Sequence, residues 1–166
     1  MKIFSLGHST RTLKELIGIL RRFEIGILAD VRTIPRSRHN PQFNQEELRP
    51  GLSAAGIRYV HVPRLGGLRK GLGRESLNSG WRNAGFRAYA DYMFSDEFRL
   101  GLEELLALAS EGAVTIMCAE AVPWRCHRSL ISDALWAHGV VVEHILDLDR
   151  TESHHLTSFA HIKDGL

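Results

Sequence analysis

Lysine is scarce in this chain, with four residues against seventeen arginines. The cationic side chains are therefore mostly planar guanidinium forks, which suit bidentate recognition of phosphate or carboxylate better than ammonium groups do. Long apolar runs are missing too. No stretch approaches the ~18 residues a membrane helix needs, and the opening MKIFSLGHST turns polar too soon for a secretory signal. The expectation is a soluble cytoplasmic protein, with no membrane partner and with its cysteines reduced at rest. There are only two cysteines, and they form no short-spaced pair. No paired histidine motif accompanies them, so a zinc site would have to borrow His8 or His61 from another loop. No metal ligand set and no cofactor is assigned. No repeat, linker or composition break divides the 166 residues, and a hydrophobic content of 44% is enough for a real core. One domain over residues 1–166 is expected, with a core over 2–148 and a polar tail over 149–166.

The net charge of +2 hides an uneven distribution. Residues 32–74 carry nine basic side chains and two acids, so this segment is +7 and the rest of the chain is −5. A segment this basic suggests an anionic partner: a phosphate, a nucleotide or a nucleic acid. A solvated basic face is the alternative.

Apolar and polar segments alternate. KIFSLG reads as a strand, and Thr10 is placed to cap a helix over 11–23 whose Leu13, Leu16, Ile17 and Leu20 share one face. Further strands are expected at 25–31, 57–62, 113–119 and 140–148. Further helices are expected at 45–55, 86–94, from Ser95 to Gly112, and over 126–138. The stretch 63–85 is rich in glycine and arginine and reads as a functional loop or lid. This order predicts a single α/β domain, a mainly parallel sheet of about five strands with flanking helices. In such sheets ligands bind beyond the carboxyl ends of the strands. Four polar motifs fall there in succession: GHST, DVRTIPRSR, HVPRLGG and CAEAVPWRCHR.

The last motif holds both cysteines. Cys118 ends a strand and Cys126 opens a helix, where free N–H groups and the dipole favour an anion or a thiolate, with His127 and Arg128 beside it. Two buried apolar cysteines are the plain alternative. A disulfide between them requires the loop to fold back, and in a reducing cytosol it is a transient switch. Glu120 is a candidate base or an ion-pair partner for a loop arginine. Asp30 ends a buried strand, where a carboxylate needs a partner such as His8 or Arg32. His8 and His61 sit at strand ends as candidate acids or bases. Ser9, Arg32, Arg38, Arg64, His127 and Arg128 are the candidate anion-binding residues. Arg36, Arg69 and the glycines at 66, 67, 71 and 73 lie in the same loops. Trp81, Phe86 and Tyr89 offer stacking surfaces or core packing.

GHST, DVRTIPRSRHNPQFN, GIRYVHVPRLGGLR and CAEAVPWRCHRSLI, in this order, resemble the family called domain of unknown function 488. The resemblance spans about residues 3–148. Its recurrent positions fall on Gly7, His8, Ser9, Asp30, Arg32, Pro35, Ser37, Arg38, Asn40, Pro41, Phe43, His61, Leu65, Gly66, Gly67, Cys118, Glu120, Cys126, His127 and Arg128. It implies a compact α/β domain and supplies no reaction, substrate or cofactor.

Two functions follow from these residues. The first is an enzyme whose Cys118 or Cys126 thiolate attacks an anionic substrate, with His8, His61, Glu120 or Asp30 in the proton-handling or orienting roles. The second is a nucleotide or nucleic-acid binding module with structural cysteines, using segment 32–74 as its electrostatic footprint.

Overall fold

The computed structural model describes residues 1–69 and 84–156. Six strands form one sheet in the order β3-β2-β4-β1-β5-β6. They are β1 (Lys2–Gly7), β2 (Ile27–Asp30), β3 (Arg58–His61), β4 (Val114–Cys118), β5 (Val141–Asp147) and β6 (Arg150–Ser153). The first five are parallel, and β6 returns antiparallel to β5. The helices are α1 (Leu13–Arg22), α2 (Gln45–Ala54), α3 (Ala84–Tyr92), α4 (Asp96–Glu111) and α5 (Arg128–Ala137). The α/β architecture and the mainly parallel sheet are those expected.

Successive strand residues point to opposite faces of the sheet, which divides the core in two. Leu6, Leu28, Met117 and Ile145 pack with Leu16, Leu20, Leu48 and Leu52 of α1 and α2. Ile3, Ala29, Ile116 and Val142 pack on the other face with Leu102, Leu105, Leu130 and Ala134 of α4 and α5. The central strands are apolar on both sides because helices cover both sides.

Of the differences from the sequence expectation, three have a clear local cause. Helix α1 is capped by Thr12, not Thr10: Thr12 Oγ1 accepts from Glu15 N at 3.0 Å, and Glu15 returns the bond to Thr12 N at 2.9 Å. This reciprocal capping box fixes the start two residues later. Helix α5 starts at Arg128, because Pro123–Arg125 form a 3-10 turn and Cys126 is extended, with φ −136° and ψ 147°. The sixth strand lies in the segment read as a polar tail. All four of its residues are exposed, so it carries no apolar alternation, and its pairing with β5 comes from backbone bonds alone. Of the loop expected over 63–85, residues 63–69 and 84–85 are described: the first begin with a 3-10 turn at Pro63–Leu65, and the last two already belong to α3. Gly71, Gly73 and Trp81 lie outside the described residues. No described helix is long and apolar enough to cross a membrane.

Candidate functional site

The four motifs meet because β1, β2, β3 and β4 run parallel and end on one side. In register, Asp30 of β2 stands beside His61 of β3 and Met117 of β4, and Gly7 of β1 stands beside Cys118. After the strands, His8 N donates to the Cys118 carbonyl and Ser9 N to that of Ala119, both at 2.9 Å. Ser9 takes a left-handed backbone, φ 51°. Gly7 is required at this crossing. A Cβ there would overlap the Glu120 carbonyl and come within 2.8 Å of the Arg128 guanidinium.

Asp30 and Arg32 make a closed cluster. Asp30 Oδ1 accepts from Arg32 N at 3.1 Å and Arg32 Nε at 2.9 Å, while Oδ2 accepts from Arg32 Nη2 at 2.7 Å and from the Tyr59 hydroxyl at 2.5 Å. The carboxylate is fully occupied, so its role is to orient Arg32. Arg32 Nη2 also donates to the Phe43 carbonyl at 2.8 Å, which leaves little of the guanidinium for a ligand. His8 stacks on Phe43 and donates from Nδ1 to the Ser9 carbonyl at 2.9 Å. Burial lowers its pKa to about 4, and Arg32 adds to this against the opposing Ser9 carbonyl. His61 Nε2 donates to the Arg32 carbonyl at 2.7 Å. His8, His61 and Asp30 are thus tied to Arg32 and its loop.

Cys118 and Cys126 make the second cluster. The loop between them folds back through the 3-10 turn, and the two residues are joined as a disulfide, with Cα atoms 7.4 Å apart. Arg128 lies beneath. Its guanidinium is fully buried; Nη1 donates to Cys118 Sγ at 3.1 Å and to the Glu120 carbonyl at 3.0 Å, and Nη2 donates to the Ala121 carbonyl at 3.4 Å. Its Nε is buried without a partner among the described residues. Burial lowers the Arg128 pKa to about 9, and nearby Arg11 adds to this while Glu120 opposes it. The Glu120 carboxylate is exposed and forms no ion pair among the described residues. Glu120 meets Arg128 through a hydrogen bond to its backbone carbonyl, not through the ion pair considered for its carboxylate.

The N-terminus of α5 is not an open anion cradle. Arg128 N donates to Cys126 Sγ at 3.4 Å, Ser129 N to the Cys126 carbonyl at 3.1 Å, and Leu130 N to the His127 carbonyl at 3.0 Å. His127 Nε2 donates to the Val31 carbonyl at 2.7 Å, and its Nδ1 lies 3.5 Å from Cys126 Sγ. Burial lowers the His127 pKa to about 4, with the Val31 and Leu65 carbonyls opposing and Arg128 and Arg69 adding. The Gly66-Gly67 pair makes room for these neighbours. A Cβ on Gly67 would lie 2.6 Å from His127 Nδ1, and one on Gly66 would strike Thr33. Both glycines serve close packing within the fold.

A cavity of about 370 Å³ opens above both cysteines. Its walls include Arg32, Arg36, Arg125, Glu120, Ile34 and Phe86. Arg125 is exposed and was not singled out from the sequence, although it lies inside the CAEAVPWRCHR motif. Ser9, Arg38 and Arg64 are not on these walls, and Arg64 pairs with Glu97 at 3.1 Å. The basic segment is similarly dispersed. Arg36 pairs with Glu46 at 2.7 Å and Arg58 with Glu111 at 2.8 Å, while Arg69 folds back on the Gly66 and Pro63 carbonyls. Tyr89 is buried and donates to the Leu65 carbonyl at 2.9 Å, so its ring is core.

The model of the family described as Domain of unknown function DUF488 matches residues 12–135. The chain belongs to this family. The match begins after GHST and ends within α5, so it covers the closed cluster, both cysteines and Arg128. No curated protein and no solved structure matches the chain. Membership therefore brings no reaction with it.

A separate buried chain ties the far edge of the sheet together. His144 Nδ1 lies 2.8 Å from Ser5 Oγ, its Nε2 lies 2.9 Å from His154 Nδ1, and His154 Nε2 lies 2.7 Å from Asp133 Oδ1. Sequence reading missed this chain because its members lie on four different elements or turns.

Proposed function

We propose that this protein is a thiol-dependent enzyme acting on an anionic substrate in the cavity at the carboxyl ends of β2 and β4. The Arg128 guanidinium carries this reading. It is fully buried, and none of its hydrogen-bond partners among the described residues is a carboxylate. A buried cation needs a counter-charge. In the reduced protein a thiolate at Cys118, 3.1 Å from Nη1, supplies it. The guanidinium in turn favours the charged sulfur over the thiol, which is the form that reacts. Arg125 on the exposed wall is placed to receive a substrate anion, while Ile34 and Phe86 receive its apolar part.

The test is alkylation of the reduced protein with iodoacetamide across pH, with the modified cysteine located by mass spectrometry. Cys118 is expected to react faster than free cysteine at neutral pH. Arg128→Met is expected to slow it about tenfold and move the reaction toward alkaline pH. Alkylation of both cysteines no faster than a free thiol would sink the nucleophile reading.

A further inference from the structure

The two sulfurs have different surroundings. Cys118 Sγ receives the side chain of Arg128, which suits a resting thiolate. Among the described residues, Cys126 Sγ receives the backbone N–H of Arg128, at 3.4 Å, and faces His127 Nδ1 at 3.5 Å. Because His127 Nε2 donates to the Val31 carbonyl, the Nδ1 lone pair is turned toward Cys126. One sulfur is thus set up as an anion and the other as a thiol beside a neutral imidazole nitrogen. They are close enough to bond, so any group that Cys118 picks up is at once exposed to Cys126. For acyl or phosphoryl transfer a second thiol in bonding contact with the nucleophile contributes nothing. For a substrate attacked at sulfur it completes the reaction.

We infer that Cys118 and Cys126 act as attacking and resolving thiols, and that the substrate is a small disulfide carrying negative charge. The inference rests on the thiol-enzyme reading above. The Cys118 thiolate attacks one sulfur of R–S–S–R′, forms the mixed disulfide Cys118–S–S–R and expels R′–S⁻. Cys126, ionised by loss of its proton to solvent, attacks Cys118 Sγ, closes the Cys118–Cys126 disulfide and expels R–S⁻, which is protonated from solvent. Two electrons pass from the protein dithiol to the substrate, which leaves as two thiols. A low-molecular-weight thiol reductant then restores the dithiol by the reverse exchange. The joined pair is the end state of the first half of this cycle. The rim fits a substrate that is both charged and apolar. Exposed Ile34, Leu68 and Arg125 share it, with Trp124 next to Arg125.

The experiment mixes fully reduced, full-length protein with one equivalent of dithiobis(nitrobenzoate), an anionic aromatic disulfide, and follows the released thiolate and the intact mass. Wild type is expected to release two thionitrobenzoate anions per chain and keep no aryl group. Cys126→Ser is expected to release one and hold the other on Cys118. Wild type that releases one anion and keeps the aryl group on Cys118 would overturn the resolving role and leave the nucleophile reading standing. Reaction at either cysteine no faster than free cysteine would overturn both. Wild-type reaction with uncharged dithiodiethanol at an equal rate, relative to free cysteine, would overturn the anionic substrate class.

Discussion

Arg32 and Arg128 are both buried beneath the same strand ends, and their surroundings are opposite. Arg32 is held by the two oxygens of Asp30 and by the Phe43 carbonyl, and Asp30 is completed by Tyr59. Arg128 has carbonyls and a sulfur, and an Nε without a partner among the described residues. A buried ion pair with every donor satisfied organises a loop and has little left for chemistry. A buried cation with no carboxylate partner among the described residues lacks its counter-charge until something anionic arrives or forms nearby. The first cluster shapes the wall of the cavity; the second is where a charge change can be used.

Breaking the ion pair tests this contrast most strongly. Asp30→Ala strands the Arg32 charge in the core and is expected to cost about 3–5 kcal/mol in urea denaturation of the reduced protein. Arg128→Met removes a cation that no described carboxylate meets, keeps most of the volume and lets Cys118 return to the neutral thiol. Its expected cost is roughly 1 kcal/mol or less, since a buried ion replaced by an apolar side chain of similar size is often neutral. Equal losses from the two variants would erase the distinction.

Acid should act on both clusters at once. Burial lowers the pKa of His8 beside Arg32 and of His127 beside Cys126 to about 4, and that of His144 in the far chain to about 3. The unfolded rings titrate at 6.5, so between 6.5 and about 4 the unfolded chain binds more protons. Stability is then complete above pH 6.5 and falls as the pH drops through that window, by about 2 kcal/mol for each ring at pH 5. Denaturation midpoints at pH 7 and pH 5 measure it. His8→Gln and His127→Gln should each flatten the profile. A profile unchanged by either would mean that acid enters through another group.

The elements were largely legible because each has a local signal: apolar strands, capping residues, and glycine at Gly56 and Gly139, both at positive φ. The meeting of the four motifs was legible from topology alone, since parallel strands must end on one side. The difference between the arginines was not. DVRTIPRSR and CAEAVPWRCHR each offer an arginine near an acid, and spacing does not reveal that Asp30 turns back on Arg32 while Glu120 meets Arg128 through its backbone carbonyl. The helix N-terminus misled for a physical reason: Cys126 and His127 use its first N–H groups themselves. The Thr12 cap was available in the spacing of Thr12 and Glu15, and β6 was not, because a fully exposed strand leaves no pattern.

The smallest expected effect separates the two clusters most cleanly. Tyr59→Phe deletes one of the four donors to Asp30 and leaves the three from Arg32 in place. Burial beside Asp30 already pushes the pKa of this hydroxyl up, so it is a neutral donor at every working pH. Its loss should cost about 1 kcal/mol, the net worth of one such bond. Tyr59 meets the cavity only by way of Asp30 and Arg32, and no hydrogen bond among the described residues joins it to Arg128, so Cys118 alkylation at neutral pH should stay within about twofold of wild type, a difference under ~0.5 kcal/mol. A larger change in reactivity would show that the closed cluster tunes the thiol from a distance. Arg32 and Arg128 would then be two halves of one electrostatic unit, and the division between a shaping cluster and a reacting one would fail.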